Sequence, residues 1–425
     1  MTAPPVSVIV VSRGRPEMLR RCLTGIGQLF YPCYEVVVVA DPSGAQAVRD
    51  MGLTARIKLV EYDEPNISHA RNLGIAAAAG RIVAFVDDDA VPEPTWLDHL
   101  IEAFDDPAIV AAGGFVRGRN GISYQFRAAF VSPTGRDVAI DTDGMTAFVP
   151  DPPAGHAVKT TGTNCAFRRK NVALMGGFDP VFSFFHDETD LNMRLMRAGG
   201  KTAVVPLAQV HHGFAASERR HGNRAPVSLE DVGASTVLFL RKHAPETALE
   251  PACDALTCEQ HARLARYVAD GRLDRSRVEP LMQGLRQGMA RGRTTDIRPL
   301  APLGAPAQPF RPYADAGGPR RSVVIAARPW SGAQAERGAR AQVAAGNVVT
   351  LIRLSPTALF HRVRFLPDGY WLQTGGVFGR AVRDEPIFRP TTFRRRVEKE
   401  WQRVARLRQS PENMTETGDA NKNFP

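Results

Sequence analysis

The 425-residue sequence is poor in features that would assign it to several common classes. Its five cysteines, Cys22, Cys33, Cys165, Cys253 and Cys258, are odd in number and contain no CxxC pair. That argues against a disulfide framework and fits a reducing compartment. Cys253, Cys258 and His261 offer only three ligands at a spacing unusual for a structural metal site. No stretch approaches the ~18 consecutive apolar residues of a membrane span, and the start MTAPPVSVIVVSRGRP shows no basic segment leading into an apolar one. A cytoplasmic chain is expected, attached at most peripherally to the inner face of the cell membrane. Aromatic residues are only 8% of the total, and no nucleic-acid-binding module is recognisable. The net charge of +10 would suit a polyanion or a membrane surface, but a well-solvated basic surface is its commoner meaning, and no nucleic-acid partner is expected.

What the chain does contain is ordered. Its length suggests more than one domain. From Val6 to about Val205, short Val/Ile-rich runs (VSVIVV, YEVVVVA, ARIKLVEY, RIVAFVD) alternate with helical patterns, which predicts a mostly parallel sheet covered by helices. Pro16 suits a first helical turn, and Met18, Leu19, Cys22, Leu23 and Ile26 recur on one helical face. The divisions expected are an α/β domain over 1–225, a helical extension over 226–298 that opens on a Ser228/Asp231 capping box, and a Pro/Gly/Ala-rich linker over 299–319. A small α/β accessory unit over 320–408 and a disordered tail over 409–425 follow. In FRRRVEKEWQRVARLRQ, the residues Phe393, Val397, Trp401, Val404 and Leu407 form one stripe among arginines, which either packs on the core, the preferred reading, or lies on an anionic membrane.

The segment VAFVDDDAVP carries an apolar strand straight into Asp87, Asp88 and Asp89. Alternation along an extended chain would point Asp87 and Asp89 to one side and Asp88 to the other, a two-carboxylate claw suited to a hard divalent ion such as Mg²⁺ or Mn²⁺. In open α/β sheets, ligands bind at that end of the strands. Taken alone, three aspartates read more readily as a solvated acidic turn. Further along, His186, Asp187, Glu188 and Asp190 interrupt an apolar run before a helix bearing Arg194, a setting that raises carboxylate proton affinity and suits a general base. The pair His211 and His212, in QVHHGF behind a strand, has the chemistry to complete a metal site.

In order, VIVVSRGRPEMLRRCL, VVVVADPSG, NISHARNLGIAAAAGRIVAFVDDDAVPEPTWL, TGTNCAFRR, GGFDPVFSFFHDETDLNMRLMRAGG and VVPLAQVHHG resemble the signature segments of family 2 glycosyltransferases of bacterial type. The resemblance covers about the first half of the chain. It implies the GT-A (nucleotide-diphospho-sugar transferase) fold and an inverting, metal-dependent transfer of a sugar, with Mn²⁺ or Mg²⁺ as cofactor. The donor it implies is a nucleotide-diphosphate sugar, and the acceptor a saccharide, lipid-linked saccharide or other glycoconjugate. By the same resemblance Ser12 and Arg15 border the nucleotide, Asp41 lies near the base, Arg71 faces the nucleotide or diphosphate, Asp87 meets the ribose, and Asp88 belongs to the donor site. Asp89 would bind the metal together with His211 or else His212. Gly162, Thr163 and Asn164 would form the loop beneath donor sugar and acceptor, and Asp187 and Glu188 the general-base motif, Glu188 by register. Asp190 and Arg194 would position that motif by pairing.

Three positions depart from the family pattern. Gly14 stands where Asn usually precedes Arg-Pro, Ala40 where an Asp usually approaches uracil, and the base motif reads Asp-Glu instead of Glu-Asp. UDP remains the nucleotide implied, with dTDP and GDP left open. Two other classes compete. One is a sugar nucleotidyltransferase, against which SRGRPEML lacks a Gly-rich, Lys-bearing phosphate loop. The other is a non-catalytic basic binding protein.

Overall fold

The computed structural model describes residues 3–213, 218–219, 221–313 and 320–409. The apolar runs become strands β1 (Val6–Ser12), β2 (Tyr34–Ala40), β3 (Lys58–Glu61), β4 (Ile82–Phe85), β5 (Ala90–Pro92) and β6 (Ile109–Arg117). After them come β7 (Tyr124–Phe126), β8 (Ala129–Val131), β9 (Asp137–Ala139), β10 (Ala157–Val158), β11 (Cys165–Arg168) and β12 (Lys201–His212). The large sheet runs β3-β2-β1-β4-β11-β6-β12-β5, with β7 paired to β6, while β8, β9 and β10 form a small separate sheet. Strands β3, β2, β1 and β4 are parallel, as are β6 and β12; β11 and β5 run against their neighbours. The architecture is thus the mixed, mostly parallel α/β sheet expected.

Covering helices are α1 (Pro16–Ile26), α2 (Pro42–Asp50), α3 (Ile67–Ala77), α4 (Trp96–Glu102), α5 (Arg169–Leu174) and α6 (Asp187–Arg197). In α1, Leu19, Cys22, Leu23 and Ile26 are buried against Val8, Val10 and Val36, because the 3.6-residue repeat brings them to one face. The chain then forms α7 (Glu230–His243), α8 (Leu249–Ala269) and α9 (Val278–Thr294), packed around Val237, Leu240, Leu264 and Leu285. Helix α7 does not open on the expected capping box. Ser228 Oγ accepts from the Glu230 amide at 3.1 Å, while Asp231 pairs with Arg219 and Arg291.

The Pro-rich stretch is not a free linker. Its described part is laid along the back of the first domain: the Leu303 amide donates to the Ala173 carbonyl at 2.8 Å, the Arg311 amide to Glu35 at 2.8 Å, and Tyr313 stacks on Tyr34 at 5.5 Å. Proline cannot propagate a helix or a ladder, yet an extended strap needs few hydrogen bonds. Residues 314–319 of that stretch, and 410–425 of the tail expected to be disordered, lie outside the described residues.

The last unit holds β13 (Ser322–Ala327), α10 (Gly332–Ala344), β14 (Val348–Ser355), β15 (Arg362–Phe365), β16 (Trp371–Gly376), α11 (Phe393–Gln402) and α12 (Ala405–Arg408). Its sheet order is β13-β14-β16-β15, so WLQTGG is a strand beyond the strand-helix-strand-strand expected. The basic stretch makes two helices. Its stripe faces inward, with Val397, Val404 and Leu407 buried, and even Arg396 and Arg408 are 2% and 1% exposed. The packing reading of that stripe therefore holds.

Candidate functional site

At the carboxyl ends of β1, β2 and β4 lies a cavity of about 440 Å³. Its walls include Ser12, Arg15, Tyr62, Asp87, Asp89 and His212. Helices α7 and α8 close it from the far side with Leu229, Val232, Gln260 and Arg263, so the helical extension is part of the site.

Strand β4 stops at Phe85, and the three aspartates sit in a turn, the Ala90 amide donating to the Asp87 carbonyl at 3.0 Å. The side chains nevertheless diverge as alternation predicts. Asp88 is fully buried and takes hydrogen bonds from Ser12 Oγ at 2.7 Å and an ion pair from Arg15 at 2.5 Å. Burial, offset in part by Arg15, pushes its carboxyl up to about 7. Asp87 and Asp89 turn the other way. Asp87 accepts from Thr163 Oγ1 at 2.5 Å and lies 3.5 Å from Arg71, while Asp89 meets Arg15 at 3.3 Å and His212 Nε2 at 3.0 Å.

The two histidines of β12 part company. His212 joins Asp87 and Asp89, one ligand atom from each lying within 4.8 Å of the others. Its Nδ1 is 2.9 Å from Gln125 Oε1, so the proton belongs on Nδ1 and Nε2 turns its lone pair toward Asp89 Oδ1. Two acceptors at that distance require a proton or a cation between them. The residues present therefore fit a hard divalent ion: two carboxylates and one oriented imidazole at ligand spacing. His211, offered equally by the sequence, faces away and is no ligand here. It donates from Nε2 to Glu93 at 2.7 Å and packs 4.6 Å from Trp371, and burial holds its pKa down at about 4. Adjacent residues of a strand face opposite sides.

The base motif opens α6. Phe185 and His186, immediately before it, both have positive φ (70° and 65°), a conformation that costs non-glycine residues energy and is retained where surroundings enforce it. Here the enforcement is aromatic: His186 stacks on Phe239 of α7 at 4.7 Å, and burial depresses its pKa to about 3. The kink points Asp187 and Glu188 back at Arg71, which bonds Asp187 and lies 4.0 Å from Glu188. Burial and the Glu188 charge raise the Asp187 carboxyl against the pull of Arg71. Glu188 is lowered: burial works against its ionisation, but Asp187, Arg71 and Lys159 outweigh it. The pair thus divides into an enclosed member, Asp187 at 5% side-chain exposure, and an ionised one, Glu188 at 22%. Asp190 and Arg194 pair at 2.7 Å, and Lys242 and His243 of α7 fasten Asp190 as well.

Several residues named from the resemblance are held differently from that picture. Arg71 is 4% exposed, a hub joining Asp87 to Asp187, and does not line the cavity. Gly162 is required by that hub, since a Cβ there would overlap the Arg71 guanidinium. Asn164 is fully buried and ties Trp96 Nε1 to the carbonyls of Phe115 and Ala208, which leaves it no face for a sugar. Asp41 caps α2, accepting from the Gly44 amide at 3.1 Å and Ser43 Oγ at 2.7 Å, and is not among the cavity walls. Gly14 has φ +68° with open space around it, so it supplies a left-handed turn between Arg13 and Arg15. On α8, Cys253 is buried and Cys258 exposed; among the described residues the aspartate–histidine group is the one cluster with ligand spacing. Tyr62, Gln125 and the α7/α8 wall were not singled out from sequence. Only Tyr62, at the end of the ARIKLVEY run, had a positional signal.

Sheet and site together define an α/β protein with a carboxylate-rich cavity at the C-terminal ends of its parallel strands, the arrangement that the GT-A resemblance implies. The family model "Glycosyltransferase like family 2" matches residues 4–224, more than half of the chain, and the chain belongs to that family. Among curated relatives, the O-antigen biosynthesis protein RfbC of Myxococcus xanthus is 26% identical over 239 residues, 51% of this chain and 18% of that protein. The pre-mycofactocin glycosyltransferase of Mycobacterium tuberculosis is 27% identical over 215 residues, 49% of this chain and 42% of that one. The match thus spans less than half the length of either relative. Of solved structures, GalNAc-T7 with UDP, GalNAc and Mn²⁺ aligns with a TM-score of 0.43 at 16% identity over 56% of this chain and 48% of that one. A mannosyltransferase from Pyrobaculum calidifontis with GDP-Man and Mn²⁺ aligns at 0.39 and 19% identity over 69% and 88%.

Proposed function

We propose that the chain is an inverting, metal-dependent glycosyltransferase that moves a sugar from a nucleotide-diphosphate donor, a UDP-sugar by family, to a hydroxyl of a saccharide, lipid-linked saccharide or other glycoconjugate. The observation that carries this is the pairing of a cation-fitting group (Asp87, Asp89, His212) with an ionised Glu188, joined through the single buried Arg71. A divalent ion bound there would neutralise the charge that develops on the departing diphosphate. The chain's own groups do the rest. Tyr62 and the ends of β1 and β2 border the nucleoside; Arg15 steadies Asp88 and Asp89; Glu188 takes the proton of the attacking hydroxyl. One such base acting in one direct displacement inverts the anomeric centre. Asp187, closed off and bonded to Arg71, positions that base and is not the base itself. Leu229, just before α7, and Val232 of α7, with Phe184 and Phe185, give the cavity an apolar wall against which the acceptor would lie.

The first test is a thermal-shift panel of UDP, dTDP and GDP, each with and without Mn²⁺. Stabilisation by UDP that requires Mn²⁺ is expected. No response to any combination would rule out a metal-bridged donor.

Peripheral contact with an anionic membrane belongs to the same reading. Trp330, Leu359, Phe360, Ile387 and Phe388, exposed by 55–76%, stand on loops that leave β13, β14 and β16 at one sheet edge, with Arg328 over Trp330 and Arg380 over Phe360. Flotation with vesicles containing anionic lipid, but not with neutral ones, is expected. Loss of flotation on deleting residues 393–408 alone, with these loops intact and folded, would return the contact to the basic helices.

A further inference from the structure

Asp89 and His212 stand at the same end of a very short ladder, one just before β5 and the other at the end of β12. Strand β5 has three residues, lies at the sheet edge, and pairs only with β12: Ala90 with His212, Val91 with His211, Pro92 with Val210. Beyond the ladder, the Gly213 amide donates to the Asp89 carbonyl at 2.9 Å and the Glu93 amide to the Gln209 carbonyl at 3.0 Å. Three residues of edge strand are a weak anchor for a metal ligand.

Helix α1 packs on β5 and its Arg21 donates to the Asp89 carbonyl at 3.1 Å; a further anchor comes from the other end of the chain. Glu93 is fully buried. Its carboxylate receives Nε and Nη2 of Arg408, each at 2.8 Å, and Nε2 of His211 at 2.7 Å. Arg408 also donates to Thr350 of β14 at 3.3 Å, and its guanidinium lies 4.1 Å over Trp371 of β16. Next to it, the Leu407 carbonyl accepts from the Thr95 amide at 3.1 Å and from Thr95 Oγ1 at 3.0 Å. Val91 of β5 packs with Val363, Phe365 and Trp371. Arg408, 315 residues from Glu93 in sequence, thus closes on the carboxylate that follows β5. A fork-to-fork guanidinium–carboxylate pair fixes direction as well as attraction. An apolar contact alone would let β5 slide.

We propose that the C-terminal unit is a structural part of the cation site, with Arg408 as a positioning residue. Through Glu93 and His211 it holds β5 against β12 and so sets Asp89 and His212 at the spacing a cation needs. The inference rests on the metal reading of Asp87, Asp89 and His212 given above. It also explains why that unit is docked through a buried ion pair where an apolar seam would attach it equally well.

The test uses the full chain and Mn²⁺ alone, with free Mn²⁺ followed by electron paramagnetic resonance, beside a melting curve for each variant. Arg408→Met is expected to raise the Mn²⁺ dissociation constant about 10-fold or more, and Arg408→Lys, which keeps the charge without the fork, to fall between. Gln28→Ala removes a different bond between the same two parts, Gln28 Nε2 to the Gly369 carbonyl, and should leave Mn²⁺ binding at the wild-type value. Where Arg408→Met fails to fold, Glu93→Gln/Arg408→Met removes both charges together and should fold while still binding Mn²⁺ weakly. Wild-type affinity in either folded variant overturns the inference while leaving the metal reading intact. No Mn²⁺ binding by the wild-type chain overturns both.

Discussion

Asp87, Asp88, Asp89 and Glu93 lie within seven residues of one another, yet two opposite electrostatic solutions are built from them. In and beside the cavity, Asp87 and Asp89 share Arg15 and Arg71 with Asp88, Asp187 and Glu188, so that each of these two guanidiniums serves more than one carboxylate. A few residues on, Glu93 meets one Arg408 in a sealed pair, with His211 held neutral. The first arrangement spreads each guanidinium over several carboxylates and leaves Asp87, Asp89 and His212 at ligand spacing. The second is complete by itself. A buried carboxylate therefore says little about function until its partners are known; guanidiniums shared among several carboxylates beside a cavity mark the candidate working group, and a one-to-one pair marks a joint.

The sharpest way to break this contrast is Glu188→Gln. If Glu188 is the working base, transfer should fall by roughly 10² to 10⁴ while Mn²⁺-dependent nucleotide binding persists, as initial rates and thermal shift would show. Transfer near the wild-type rate would move the base to Asp187. Asp89→Ala should act on binding instead, removing the Mn²⁺-dependent part of the UDP shift; an unchanged shift would take Asp89 out of the cation group.

Acid titration probes the sealed pair. Burial opposes ionisation of Glu93, but Arg408 and His211 prevail and hold its carboxyl at about 2. Because the folded value lies below that of an unfolded glutamate, the stabilisation is present above about pH 4.5 and is lost as pH falls toward 2. It amounts to about 3 kcal/mol at neutral pH. Chemical denaturation at pH 6 and pH 3 should show a smaller difference for Glu93→Gln/Arg408→Met than for wild type, and equal differences would contradict the pair's role. The smallest effect is expected at the exposed edge, where Phe388→Ser should alter stability by no more than about 0.5 kcal/mol while weakening vesicle binding.

Much of this was legible beforehand, where the pattern is local. The Val/Ile runs and the face of α1 gave the sheet and its cover, and the order of six short segments gave the family. The divergence of Asp88 from Asp87 and Asp89 also came out as alternation predicts, although the triplet sits in a turn. For Asn164 the sequence offered a place in the loop beneath donor sugar and acceptor, but not the two carbonyls and the indole that its carboxamide joins, since those partners are distant in the chain. For Asp41 the structure adds a cap on α2, a role that uses the same side chain as ligand binding would. The Pro-rich stretch read as a linker, since composition reports what a segment cannot form and not what it lies on.

By itself the sequence determined the alternation of strands and helices, the acidic turn at the end of β4 and the presence of a base motif, since each depends on residues close together in the chain. The tertiary structure decided which histidine faces the carboxylates, which carboxylate stays ionised, and that α7, α8 and Arg408 belong to the site. Those outcomes depend on burial and on partners as much as 315 positions away, as with Arg408 and Glu93, and no local pattern encodes the field such partners create.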